Sequence, residues 1–331
     1  GLKIQTIHSF CESVLKRFPL EAGVAPGFSV IDALEAARLA REAVAQVAAA
    51  PANDAAFAHL LSRMNGATLH ELLETVATAR RRDFPATPGA WATLAEAARD
   101  ALGVSKGETL QSVRSAIFGL WSREDLQRAE AAMAAKGANP QKRARDIRNY
   151  LGADADDKRL SALISLFATD KGQPRKDIAT NDTDAVDGWV KPFLEKARDR
   201  FFVHLDRLRA VQAFEDTHAL YAMAERIFDA YQRAKTARAA LDFDDLIVLT
   251  RRLLTGGRSA AWVLYKLDHG LDHILLDEAQ DTGPDAWDVI ERPLEEFLSG
   301  ASVREAARTF FAVGDKKQSI YSFQGADAEL F

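Results

Sequence analysis

His273-Ile274-Leu275-Leu276-Asp277-Glu278-Ala279-Gln280-Asp281 is a short apolar run that ends abruptly in two carboxylates. A run of this length, bounded by polar residues, reads as a buried strand rather than a helix. Helix signals from Pro284 to Leu298 follow it. Two further segments have the same form. Thr309-Phe310-Phe311-Ala312-Val313 turns polar at Gly314-Asp315, and Leu2 to Thr6 leads into helix signals from Ser9 to Phe18. Buried strands alternating with helices indicate a parallel α/β sheet. Ligands of such sheets sit at the C-terminal ends of the strands. Thr6, His8, Asp277, Glu278, Asp315 and Gln318 all fall at those ends.

Between about Asp32 and Arg238 the pattern changes. No strand signal appears, and the segment is rich in Ala, Leu, Arg and Glu. Helical patterning recurs over Asp32–Ala50, Thr68–Arg82, Pro88–Leu102, Glu124–Lys136, Gln141–Tyr150 and Lys158–Ala168, with a loop at Asp170–Arg175. After Asp184, Trp189, Phe193, Ala197, Phe201, Leu205, Leu208 and Phe214 keep a 3–4-residue spacing, and Leu220, Ala224, Ile227 and Tyr231 extend it. That spacing predicts one or two long helices whose aromatics are core. The expected fold class is therefore α/β: one parallel-sheet domain, interrupted by a large all-helical insertion and mostly helical overall. The expected boundaries are residues 1–20, then 21–236 for the insertion, then 237–331.

Composition sets outer limits. A chain of 331 residues with 47% hydrophobic and 27% charged residues is ordinary for a globular protein of two or three domains. No window approaches the roughly 18 consecutive apolar residues of a membrane span, which excludes an integral helical membrane protein. The single cysteine, Cys11, excludes a disulfide framework and a multi-cysteine zinc site. It points to a reducing compartment, the cytoplasm. A net charge of -5 carries no sign of nucleic-acid binding, so any such role must rest on local residues. The chain opens on Gly1 without Met and stops at Phe331 just after a motif-like stretch, so it reads as part of something longer.

The carboxylates at the tip of the central run suit phosphate chemistry. Asp277 can hold Mg²⁺ through its water shell, because Mg²⁺ prefers hard oxygen ligands and keeps most of its waters. Glu278 can polarise a water for attack on a γ-phosphate. An ordinary acidic loop after a strand has the same composition. Downstream, Gln318 is placed to bond a phosphate or the attacking water, and Tyr321 and Phe323 follow at once. Exposed aromatics beside a phosphate site form a stacking platform for unpaired bases; the same pair could equally be core.

Taken together, these segments resemble the superfamily 1 helicases of the UvrD/Rep/PcrA type. Asp277-Glu278-Ala279-Gln280-Asp281-Thr282 resembles their motif II, and Gly314 to Asp327 resembles motif III. Thr6-Ile7-His8-Ser9-Phe10 is similar to the motif before the helical insertion, and Leu241-Asp242-Phe243-Asp244-Asp245-Leu246 to the motif where the chain re-enters the first domain. Within the superfamily, Thr6 to Gly23, Ala261 to Asp268 and Lys317 to Gly325 look most like AddA, the helicase-nuclease component of AddAB and a relative of RecB. Gln324 departs from the Arg common at that place in UvrD-type proteins.

The resemblance implies a partial RecA-like motor domain 1A interrupted by domain 1B. It implies ATP and Mg²⁺ as cofactors, single-stranded and duplex DNA as partners, and an AddB-like partner protein. Asp277, Glu278 and Gln318 would be catalytic, with Asp277, Glu278, Gln280 and Gln318 at the nucleotide and Asp277 at the metal. Thr6, His8, Tyr321 and Phe323 would contact DNA. The parent protein would couple ATP hydrolysis to 3′→5′ translocation in double-strand-break repair. The sequence has no Gly-Lys dipeptide, so the G-x-x-x-x-G-K-[ST] phosphate cradle is not in it, and these 331 residues alone are expected to be inactive. Two basic clusters, Arg80-Arg81-Arg82 and Lys142, Arg143, Arg145 and Arg148, could touch duplex phosphates or simply be solvated faces. A helicase-like module that binds DNA or a partner without turnover is the rival reading. The intact acids at 277 and 278 weigh against it.

Overall fold

The computed structural model describes residues 4–49, 54–78, 90–135, 138–179, 181–268, 273–298 and 309–315. Helices dominate. Among the described residues four short strands form two parallel pairs: β1 (Ser29–Val30) with β2 (Ala240–Leu241), and β3 (His273–Leu276) with β4 (Thr309–Ala312). By contact the chain separates into two compact units, one of residues 1–90 and 222–331, the other of residues 91–221.

The pair β3–β4 has the parallel sense expected from a strand–helix–strand order, with His273 opposite Thr309 and Leu276 opposite Ala312. The intervening helix spans Pro284–Leu298, the bounds the sequence predicts. Burial differs from expectation. Leu275 and Phe311 are 70% and 60% exposed, whereas Ile274 and Leu276 are half-buried. That alternation belongs to strands with one covered face. Among the described residues there is no second layer over the other face. The expected strand at Leu2–Thr6 is also corrected. Ile4 to Thr6 are not strand, Ile4 is 88% exposed, and Leu2 and Lys3 lie outside the described residues. No described strand lies beside this segment, and an unpaired strand leaves its N–H and C=O groups unmatched.

In its described residues the second unit is helical, apart from one isolated antiparallel bridge between Ala168 and Pro174. Its core is built on Phe167 and Phe201, both fully buried with ring centroids 5.3 Å apart, and Trp121 packs on Phe167 at 5.6 Å. The expected long helix is a single one, Val190–Ala237, of 48 residues. At about 1.5 Å per residue it is roughly 70 Å long. Of the predicted positions, Ala197, Phe201, Leu205, Leu208 and Phe214 enter the core of this unit, whereas Trp189 and Phe193 are only partly buried against it and Leu194 takes the buried place. From Ala222 onward the same helix belongs to the first unit, where Met223, Ala224 and Ile227 are buried.

In the first unit the helix Phe243–Thr255 is central. It packs against Ile7–Arg17, Gly257–Asp268 and Pro284–Leu298. Leu246, Leu253 and Leu254 meet Cys11, Val14, Leu15, Val263 and Val289 in one core. Burial pushes the Cys11 thiol up to about 11, so this lone cysteine is a small apolar core residue. Arg251 forms ion pairs with Asp285 and with Asp288, the latter at 3.6 Å, and so ties this helix to the start of Pro284–Leu298.

The entry into Phe243–Thr255 is fixed by a buried charge cluster. Asp242 is the N-cap: its Oδ1 accepts from the Asp245 N–H at 2.8 Å, while Asp245 Oδ2 accepts from the Asp242 N–H at 3.2 Å. This reciprocal box satisfies two helix-end donors. Lys235, fully buried, reaches Asp242 at 2.6 Å and also bonds Asp245. The Tyr231 hydroxyl donates to Asp242 at 2.9 Å. Burial pushes Asp242 upward, but Lys235 and the hydrogen bonds from Lys235, the Asp245 N–H and Tyr231 outweigh it and hold the carboxyl below its ordinary range. Burial, with Asp242 beside it, raises Tyr231.

Lys235→Met removes one side of this cluster and leaves two carboxylates without their buried cation. A loss of about 3–5 kcal/mol in urea unfolding is expected, and a loss under about 1 kcal/mol would show the cluster to be dispensable. The pH dependence has a definite sign. Because the folded Asp242 pKa is depressed, its stabilisation is present above its unfolded value of about 3.9 and fades as pH falls below it. The variant should lose less of its remaining stability on acidification than the parent does.

Candidate functional site

β3 carries Asp277 and Glu278 at its C-terminal end, and both side chains are exposed. Glu278 adopts φ 52, ψ 44, the left-handed region. For a residue with a side chain this costs roughly 1–3 kcal/mol and persists only where neighbours impose it. Here the neighbours are specific. The Glu278 N–H donates to Asp277 Oδ1 at 3.0 Å. A 3-10 turn, Ala279–Asp281, follows, and the Ala279 N–H donates to the Val313 carbonyl at 2.9 Å. The Val313 N–H donates back to Leu276 at 2.8 Å, so the β3–β4 pairing runs on to the site.

Gln280 lies beneath the two acids and is 1% exposed. Its Nε2 donates to Glu278 Oε2 at 2.7 Å, and its Oε1 accepts from the Asp315 N–H at 3.0 Å. A carboxylate can only accept and a backbone N–H can only donate, so this amide orientation is the one that satisfies both. Glu278 is thus referenced, through one buried side chain, to the backbone just beyond β4.

A second group of expected residues sits at the start of Ile7–Arg17. Thr6 is its N-cap, with Oγ1 accepting from the Ser9 N–H at 3.2 Å. His8 is half-buried, and its ring meets Phe243 edge-on at a centroid distance of 5.3 Å. Phe243 is itself exposed. The segments Thr6 to Phe10 and Leu241 to Leu246 are therefore neighbours. Burial lowers the His8 pKa from its usual value and the nearby Asp244 carboxylate opposes this, so the ring is neutral at pH 7.

Gln318, Tyr321 and Phe323 lie outside the described residues, as do Arg80, Arg81 and Arg82. In the other basic cluster, Arg143 turns inward to the Ser165 carbonyl at 3.1 Å and to Asp146, and Arg148 pairs with Glu130 at 2.5 Å. Lys142 and Arg145 are exposed. Lys235 is the structurally decisive residue that its sequence context hides. Its one signal is its place four residues after Tyr231, on the same helical stripe as Ile227, where a solvated lysine does not belong.

Among the described residues no cluster of three or more His, Cys, Asp or Glu side chains could enclose a metal ion. The Asp277–Glu278 pair instead has the hard-oxygen, solvent-facing character that suits Mg²⁺ carried on a phosphate.

The model of the UvrD/REP helicase N-terminal domain matches residues 1–331. The chain belongs to that family. It is 27% identical over 370 residues to an ATP-dependent helicase/nuclease subunit of Pelotomaculum thermopropionicum, covering 99% of this chain and 28% of that protein. The namesake from Listeria monocytogenes serotype 4a is 23% identical with the same coverage. That of Latilactobacillus sakei is 31% identical over 166 residues, 49% of this chain and 17% of the relative. The chain thus spans about 28% of the length of the relatives that it matches end to end.

For this UvrD/REP-family chain the His8 environment is directly measurable. An NMR titration should place the His8 midpoint below about 6.5, and Asp244→Asn should lower it further by removing the opposing charge. A midpoint at or above that value would reject the burial assigned to the ring.

Proposed function

We propose that the protein carrying this chain is an ATP-dependent DNA helicase of AddA-like type, the helicase-nuclease component of a double-strand-break repair complex. The observation that carries this reading is the pair Asp277–Glu278, presented at the C-terminal tip of β3 where it pairs with β4, with Glu278 in a left-handed conformation and its carboxylate bonded to Gln280. The relatives, named as ATP-dependent helicase/nuclease subunits, support it.

In this reading residues 1–20 and 237–331 are parts of motor domain 1A, and residues 21–236 are the insertion, domain 1B. ATP binds beyond β3 with Mg²⁺, which supplies charge neutralisation on the phosphates when bound. Asp277 holds the hydrated ion. Glu278 takes a proton from the water that attacks the γ-phosphate, and Gln318 orients that water or phosphate. Gln280 belongs to the nucleotide site through Glu278. Thr6 and His8, with Tyr321 and Phe323, line the path of single-stranded DNA. The remaining partners are duplex DNA ahead of it and an AddB-like protein, and the setting is cytoplasmic. No helix among the described residues is long and apolar enough to cross a membrane. These 331 residues alone, without a phosphate-cradling Gly-Lys loop, do not turn over ATP.

Two substitutions in the full-length protein test the reading. Glu278→Gln keeps size and removes the base, so hydrolysis should fall about 10²–10⁴-fold with ATP binding retained. A rate within about threefold of the parent would refute the assignment. Phe323→Ala should weaken single-strand binding by roughly 1–3 kcal/mol, almost independently of base sequence. A large fall in melting temperature with unchanged affinity per folded molecule would instead make Phe323 a packing residue.

A further inference from the structure

We propose that Gln280 is a positioning residue that sets the orientation of the Glu278 carboxylate relative to the end of β4. This deepens the assignment of Glu278 as the base and rests on it. A base must meet its proton within hydrogen-bond reach, and a misplacement of about 1 Å can cost on the order of 10²-fold in rate. Glu278 is exposed and flexible in its side-chain torsions, and its backbone sits in a region that few side-chain-bearing residues occupy. Something must restrict the carboxylate.

Gln280 has the means. Its amide is planar, it is 1% exposed, and it has a bonded partner at each end: Glu278 Oε2 at 2.7 Å and the Asp315 N–H at 3.0 Å. The Asp315 bond holds the amide against the backbone just beyond β4. The plane of the amide then fixes where its Nε2 can meet Glu278. The 3-10 turn supports the same geometry, because the Ala279 N–H is bonded to the Val313 carbonyl, one residue beyond β4. Gln280 thus acts on the reaction through Glu278, and through the backbone just beyond β4 it sets the carboxylate against the second strand tip.

The two ends of the amide can be separated experimentally. In the full-length protein, Gln280→Glu keeps an oxygen to accept from the Asp315 N–H but loses the donor to Glu278. Gln280→Met loses both. Each should lower kcat by about tenfold to a hundredfold, with the KM for ATP within about threefold of the parent. Rates are counted per ATP-binding molecule, so partial unfolding does not mimic the effect. If Gln280 merely braces β4, Gln280→Glu keeps the parental kcat while Gln280→Met loses it, and the proposal is overturned. The decisive arm is the double variant. Gln280→Glu added to Glu278→Gln should cause no further loss, because the residue acts through a base that is already gone. Losses that multiply would show an independent role and overturn it. Should Glu278→Gln by itself keep the parental rate, the assignment of the base fails, an outcome distinct from failure of the positioning role.

Discussion

A fully buried ammonium group must be met by anions, and in this chain Lys235 is met by Asp242 and Asp245. The rest of the first unit depends on that constraint. Asp242 and Asp245 are also the two halves of the box that starts the helix Phe243–Thr255. The cation therefore fixes where the long helix Val190–Ala237 ends and where the next begins. The intervening turn passes through Ala239 at φ 48, and Ala240–Leu241 pairs with Ser29–Val30. Two residues on each side, more than 200 positions apart in sequence, close the return of the chain. From there Arg251 reaches Asp285 and Asp288 and sets the start of the helix that follows the acidic turn. Removing one partner from a buried ion pair costs more than the pair contributes net, because the other charge is stranded. That asymmetry makes the cluster a device for a unique arrangement.

The acidic site uses the same economy of polar groups at smaller scale. Two exposed carboxylates are carried by a turn whose buried members, Ala279 and Gln280, are bonded to Val313 and Asp315 just beyond β4. The unfavourable left-handed conformation of Glu278 persists because its own N–H is capped by Asp277 and its carboxylate by Gln280. Strain and satisfaction are thus placed side by side, an arrangement common where a functional group must be held in one orientation.

Much of this was legible in the sequence because it rests on local patterns. Pro284–Leu298, the parallel sense of β3 and β4, and the helical run after Asp184 follow from apolar spacing and from helix-start residues. The Asp277–Glu278 tip stood out only together with the segment Gly314 to Asp327 and the likeness of both to helicase motifs, since an apolar run that turns acidic is by itself an ordinary loop. Local patterns also misled. Leu2 to Thr6 has strand composition, yet Ile4–Thr6 has no strand beside it and Thr6 caps a helix instead. Arg143 was grouped with Lys142, Arg145 and Arg148 as a basic cluster for duplex phosphates or solvent, yet it turns inward to Ser165 and Asp146. Strand propensity is a preference for a pleated, partly covered surface, and it yields when no neighbour supplies one.

By itself the sequence determined the helical middle, the β3–helix–β4 order near the end of the chain, and the chemistry on offer at the strand tip, since these depend on residue spacing and side-chain type. Only the tertiary structure decided that Lys235 is buried against Asp242 and Asp245, that His8 faces Phe243, and that Gln280 spans from Glu278 to Asp315. Each of these joins groups from different elements, and their meeting is set by how helices and strands pack. A lysine or glutamine has the same composition whether it is solvated or buried. Its role is decided by which donors and acceptors the fold brings within about 3 Å.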